Sequence, residues 1–298
     1  MVGLIVTPGG AQTFEFTFMR LKLFKTLWGH TTSFEDAARQ VIDAGFDGIE
    51  GPSPESKTDR QVHRKILSDH GLDYIAEITT GGSYVPDAGL NPAAHFDTFE
   101  RKLPLALELD PLFVNCLAGS DLWSFRDNIC FLQRAMELTT RNGVTIAFET
   151  HRSRSTFHPL ITQRLLEELP DLQLTIDFSH WCCVCERLVL DELPDILELC
   201  ANHAKHIHAR IGYDQGPQVP DPRAPEFAPA LRAHEIWWNR LLRGMRQRKI
   251  SCATMTPEFG PDGYLHLEPF TQHPVADLWE LNKWIGQRQK ARFKELHE

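Results

Sequence analysis

The sequence has no apolar run approaching the ~18–20 residues that a bilayer-spanning helix requires. Its apolar start, residues 1–6, is short and has no cationic residue ahead of it, so it does not read as a secretory signal. Positive charge is in deficit: 40 acidic side chains face 31 basic ones, for a formal net charge of −9. That balance disfavours a protein that grips nucleic acid by bulk electrostatics. No second C-x-x-C stands ready to pair with Cys182–Cys185, which argues against a structural zinc site. The seven cysteines, with Cys182, Cys183 and Cys185 bunched, read as reduced, structural and intracellular. No G-x-G-x-x-G turn follows the first strand, which weakens a dinucleotide-binding reading. Repeats, low-complexity tracts and charge blocks are also missing.

What is present is a large apolar fraction, 42%, and a recurrent strand-then-helix alternation. Strands are predicted at Leu21–Trp28, Phe46–Glu50, Leu72–Thr79, Leu112–Leu117, Val144–Thr150, Leu172–Phe178, Lys205–Ile211 and Ser251–Glu258. A helix over Ser33–Ala44 is signalled by Ser33 as N-cap, Asp36 at the capping-box position and Gly45 at the stop. Further helices are predicted at Leu122–Asn142, Leu193–His203 and Val275–His297. Eight strand–helix units at this length predict an α/β fold, a (β/α)8 TIM barrel, with an open doubly wound sheet as the alternative. The expected organisation is an extension at residues 1–18, with Met19 ahead of the first strand, and a single barrel domain over 19–298. The long connections 212–230 and 259–274 follow the last two strands and read as lids or interface arms.

The last four strands place polar groups at matched depths. Glu149 ends the fifth, Asp177 the sixth and Glu258 the eighth, while the seventh offers His206 and His208. Successive strand residues face opposite sides. On that rule Glu149, Asp177, the two histidines and Glu258 share the side opposite the apolar residues and converge on the barrel axis. Three carboxylates and an imidazole suit one divalent ion, with Mn2+ or Mg2+ favoured by the oxygen-rich set and Co2+, Fe2+ or Zn2+ admitted by the histidine.

The motifs FETH, IDFSHW, HIHAR and TPEFGP resemble those of the xylose isomerase-like TIM barrels, and within that family the ketose 3-epimerase type. The resemblance extends from Leu21 to the final helix. It implies Glu149, Asp177, His208 and Glu258 as metal ligands, His208 being the second, mouth-side histidine of its pair. It also implies Glu149 and Glu258 as the proton-transfer pair and His180, three residues after Asp177, as a group acting on a substrate oxygen. Ketose 3-epimerases carry an arginine six residues after the strand-seven histidine; Asp214 stands there, with Arg210 and Arg223 as the nearby substitutes. The endonuclease branch needs histidines on strands two and three and an Asp-x-His; Glu50, Glu77 and Asp221-Pro222-Arg223 occupy those places.

The expected function is therefore a metal-dependent isomerase or epimerase that moves a proton next to the carbonyl of a small polyhydroxy compound, through an enediolate. Alternatives are a lyase on the same scaffold, a catalytically silent metal-binding protein, and a phosphodiesterase of the endonuclease kind. His151, His180, Arg210 and Trp28 are expected against substrate. Arg152 and Arg154 read as an anion site or a solvated turn, and Glu77 as a partner behind the ligands or a polar core group. Trp237, Trp238 and Trp279 read as helix-packing residues, or as a homodimer surface if exposed. No nucleic acid or membrane partner is expected, and the expected location is cytoplasmic.

Overall fold

The computed structural model describes residues 19–261 and 263–297. The predicted extension at residues 1–18 lies outside them. The elements run β1 (Arg20–Thr26), α1 (Phe34–Ala44), β2 (Gly48–Pro52), α2 (Lys57–His70), β3 (Asp73–Thr79), α3 (Pro92–Leu107), β4 (Val114–Leu117), α4 (Phe125–Arg141) and β5 (Ile146–Glu149). They continue as α5 (Pro159–Glu168), β6 (Leu174–Ile176), α6 (Ser179–Val184), α7 (Pro194–His203), β7 (Ala204–Ala209), α8 (Ala228–Gln247), β8 (Cys252–Pro257) and α9 (Leu278–His297). All eight strands are parallel to their neighbours, and β1 pairs with β8 to close the barrel. Closure removes the open-sheet alternative.

Helix α1 shows why the local reading works. Asp36 N–H donates to Ser33 Oγ at 3.1 Å, and Ser33 N–H donates back to the Asp36 carboxylate at 3.2 Å. Phe34, Ala37, Ala38 and Val41 form the buried stripe, and Gly45 terminates the helix at φ +68°, a conformation costly for any side chain with a Cβ. Elsewhere the predicted boundaries shift by cap chemistry. The helix expected from Leu122 begins at Phe125 because Ser124 is its N-cap, and the last helix begins at Leu278.

Most of the core lies between the strands and the surrounding helices. A separate small cluster, Phe24, Ile75, Phe113 and Ala147, plugs the barrel interior. His206 rests on it, with ring centroids 5.4 Å from Phe113 and 6.3 Å from Phe24. Trp237 and Trp238 are buried, the former edge-on to Phe178 at 6.0 Å, so the helix-packing reading holds for both. Trp279 is half-buried under the Lys25 ammonium.

Of the two long connections expected as lids or interface arms, 212–230 is partly packed. Residues 216–219 are buried, and Gln218 ties this loop to the next: its amide donates to Gly260 O at 3.2 Å and accepts from Gly260 N–H at 2.8 Å. A short turn of 3-10 helix at Pro225–Phe227 leads into α8. The five prolines of 212–230 thus stiffen a packed connection. No described helix is long and apolar enough to cross a membrane.

Candidate metal centre and pocket

The four expected ligands meet at the C-terminal mouth of the barrel. Glu149, Asp177, His208 and Glu258 are all buried, and each offers a ligand atom within 4.8 Å of the others. Backbone contacts set their heights. The Thr150 hydroxyl donates to Asp177 O at 2.9 Å and accepts from Asp177 N–H at 2.7 Å, bridging β5 to the end of β6. The Thr156 hydroxyl donates to Glu149 O.

His208 is oriented as a ligand would be. Its Nε2 donates to Glu50 Oε1 at 3.0 Å, which leaves Nδ1 facing the cluster. Nδ1 is buried 2.9 Å from Glu258 Oε2 and 3.7 Å from Glu149 Oε1, without a hydrogen bond of good geometry. A buried, unsatisfied ring nitrogen amid three carboxylates fits a divalent cation, and the carboxylate on its far side is the partner that metal-binding histidines usually have. Burial works to lower the His208 pKa, but Glu258, Glu50 and Glu149 outweigh it and hold it well above the ordinary value. Burial works to raise Glu50, which His208 and His206 overcome, holding it well below the carboxylate range.

Sequence reasoning assigned Glu50 no role behind His208 and missed Asn115. Glu50 also accepts from His206 Nε2 at 3.1 Å and from the Thr256 hydroxyl. Asn115 Nδ2 donates to Glu50 Oε1 at 3.1 Å and Glu149 Oε2 at 3.3 Å. The available signal was positional: Glu50 falls at a strand end on the inward face. His206, the other histidine of its pair, sits one layer deeper and lies outside the four-residue cluster.

Arg210 enters the same cluster. Its Nη2 donates to Asp177 Oδ2 and, at 2.6 Å, to His180 Nε2, and its Nε donates to Ser179 Oγ at 3.1 Å. The guanidinium lies 5.4 Å from the Trp28 ring and 4.8 Å from the Tyr264 ring. Burial is the main force raising Asp177, and Arg210 opposes it. An ionised carboxylate has about four lone-pair sites, so Arg210 and a metal can both engage Asp177.

A pocket of about 410 Å³ opens above the cluster, walled by Trp28, Tyr84 and Tyr264 with Glu77, Glu149, His151, Arg210 and Glu258. Trp28 is set by Gly260, where an added Cβ would come within 2.0 Å of the indole. His151 donates through Nδ1 to Arg152 O, and burial, with Arg210 adding to it, keeps its pKa well below the ordinary value. It is a neutral imidazole with Nε2 as acceptor. His180 packs against His151 with ring centroids 3.9 Å apart and the planes tilted by 47°, but it is fully buried behind Arg210, outside the pocket wall, with Nδ1 unpartnered. Burial, then His151 and Arg210, hold it neutral as well.

Two arginines are placed differently from their functional readings. Arg154 is buried and donates to the carbonyls of Tyr84, Thr80, Gly119 and Ser83, so it anchors the β3–α3 loop and is unavailable to an anion. Arg223 is paired with Asp221 at 2.6 Å on the surface, away from the pocket wall. The seven cysteines carry free thiols, and the described metal-competent groups include none of them.

These features agree with sequence comparison. The chain belongs to the xylose isomerase-like TIM barrel family, whose model matches residues 38–266. No curated protein matches the sequence significantly. Among solved structures, the probable 3-DHS dehydratase AsbF of Bacillus anthracis is similar at 16% identity and a TM-score of 0.58, over 93% of this chain and 100% of that one. The D-allulose 3-epimerase of Methylomonas sp., in complex with D-allulose, is similar at 14% and 0.59, over 92% and 98%. A xylose isomerase-like TIM barrel protein of Mycobacterium smegmatis in complex with magnesium matches at 14% and 0.57, over 87% and 88%. At these identities the likeness is one of fold.

Proposed function

We propose that the protein is a divalent-metal-dependent isomerase or epimerase acting on a sugar or related polyhydroxy carbonyl compound. The observation that carries this reading is that Glu149 and Glu258 belong both to the four-residue cluster and to the pocket wall. They stand at the ends of β5 and β8, with two strands between them on one side of the barrel and four on the other. A substrate carbon lying between them meets one carboxylate on each face, so one can remove the proton and the other return it. Glu149, Asp177, His208 and Glu258 would hold Mn2+ or Mg2+, which supplies Lewis-acid stabilisation of the enediolate charge and a template for neighbouring oxygens.

The surrounding residues orient the substrate. Trp28 and Tyr264 offer faces for its C–H surface and Arg210 a donor for an oxygen. His151 Nε2 accepts from a hydroxyl, and His180 acts through Arg210, whose Nη2 it holds. Asn115 steadies Glu149 for the proton transfer. A lyase would share the first step but needs an acid for the departing hydroxyl. The neutral His151, whose one N–H is engaged by Arg152 O, is poorly suited to that task.

Incubation of the Mn2+-loaded protein with ketoses in D2O tests the reading. Solvent deuterium at a retained carbon is the expected outcome. Loss of water identifies the lyase, and tight binding with no exchange at any carbon contradicts both enzyme readings.

A further inference from the structure

We infer that Glu77 contacts substrate and determines specificity, selecting uncharged polyhydroxy compounds over phosphorylated ones; the inference rests on the isomerase reading above. Glu77 lies near the end of β3 and lines the pocket, where it is only partly buried. Each carboxylate of the cluster has a neighbour of opposite polarity: Glu149 accepts from Asn115, Asp177 from Arg210, and Glu258 lies 3.7 Å from the Arg210 guanidinium. Glu77 differs. Among the described residues its one hydrogen-bond donor is the Thr79 hydroxyl, at 3.1 Å, and no cation pairs with it.

Charge counting shows what that leaves. A divalent ion and Arg210 together carry three positive charges and offset Glu149, Asp177 and Glu258. In the metal-free protein burial, then Glu258, Glu149 and Glu50, push Glu77 up to about 8. With those neighbours offset, and at the pH 8.5 used in the titrations below, it stands as an uncompensated carboxylate in the pocket wall. A carboxylate accepts readily from sugar hydroxyls, and an anionic group brought beside it in a half-buried pocket is repelled.

An independent observation concerns the place where barrels of this kind usually bind phosphate, the loops after strands seven and eight. Backbone N–H groups there would have to point at the anion. Gly212 N–H instead donates to His234 Nε2 at 3.2 Å, Phe259 N–H to Asn282 Oδ1 at 2.7 Å and Gly260 N–H to Gln218 Oε1 at 2.8 Å. All three acceptors are buried side chains of the chain itself. Arg210, the one cation on the described pocket wall, is held by Asp177 and Ser179.

The test compares Mn2+-loaded wild type with Glu77→Gln and Glu77→Ala. Each is titrated at pH 8.5 with D-fructose and with D-fructose 6-phosphate, following tryptophan fluorescence, and bound Mn2+ is counted by electron paramagnetic resonance. Wild type is expected to bind the free ketose at least tenfold more tightly than its phosphate. Both variants should narrow that ratio at least fivefold, by binding the phosphate better, with Mn2+ content and melting temperature close to wild type. A wild-type preference for the phosphate, or a ratio within twofold of wild type in both variants, overturns the role of Glu77 while leaving the metal-dependent reading intact. Failure of that underlying reading has a separate signature, a wild-type protein that holds Mn2+ yet binds neither ketose, and it overturns both.

Discussion

Arg210 and Asp177 form a fully buried ion pair at the mouth of the barrel, and the same carboxylate belongs to the four-residue metal-competent cluster. Ser179 fixes the other Asp177 oxygen from both its amide N–H, at 2.9 Å, and its hydroxyl, at 2.5 Å. Removing one partner of a buried pair strands the other charge, at a cost of about 3–5 kcal/mol. Arg210→Ala is therefore expected to destabilise the metal-free protein by about that amount, and by clearly less once Mn2+ is present to neutralise Asp177. Urea unfolding with and without Mn2+ checks this, and an equal loss in both conditions would argue that Asp177 does not face the ion.

Glu50 orients His208 from outside the four-residue cluster, 3.0 Å from its Nε2. Partners of this kind typically contribute 10–100-fold to metal affinity. Glu50→Gln should keep the fold but weaken Mn2+ binding by about that factor in calorimetric titration. Unchanged affinity would reduce Glu50 to a barrel-packing residue.

Glu149→Gln and Glu258→Gln should each reduce kcat by about 10²–10⁴-fold, the usual range for a lost acid–base group, with weaker metal binding. Saturating Mn2+ separates the two effects. Recovery of full kcat at high Mn2+ would mean that the carboxylate serves as a ligand alone.

The titrating groups of the cluster point to a pH dependence of definite sign. Glu77 is pushed up to about 8, first by burial and then by Glu258, Glu149 and Glu50. Asp177 and His208 are raised too. Groups with raised folded-state pKa values stabilise fully below their unfolded values and lose that contribution as pH rises through the folded ones. Glu50, held low, has the opposite effect only in the acid range. Buried His151, His180 and His206, held low, add stability as pH rises towards 7, so the comparison starts above that range: the metal-free protein should melt at a lower temperature at pH 9 than at pH 7.5. Added Mn2+ should flatten or reverse the trend, because metal binding favours the deprotonated ligands. A metal-free melting temperature that rises over this interval would contradict the charge state assigned to the cluster.

The barrel was legible because its signals are local. Alternation marked all eight strands, with boundaries moved by one or two residues in most of them, and Ser33, Asp36 and Gly45 announced α1. Strand parity placed Glu149, Asp177, Glu258 and both His206 and His208 on the inward face, and the family resemblance singled out His208. What parity does not give is pairing across the barrel. Glu50 and His208 are 158 positions apart and meet only because β2 and β7 enclose the same interior. The arginines were misread for a similar reason. Arg154 looks free in a polar stretch, yet the β3–α3 loop folds back and presents three carbonyls to it, and Gly119 of the β4–α4 loop a fourth. Tyr84 and Tyr264 come from two rim loops whose course no periodicity encodes.

The most direct measurement is a crystal structure of the Mn2+-loaded protein with anomalous scattering to locate the ion, together with metal analysis of His208→Ala. The expected result is one ion held by Glu149, Asp177, His208 Nδ1 and Glu258, and little or no Mn2+ retained by the variant. An ion bound elsewhere, or a His208→Ala protein that holds Mn2+ as wild type does, would contradict the metal centre on which the proposed chemistry depends.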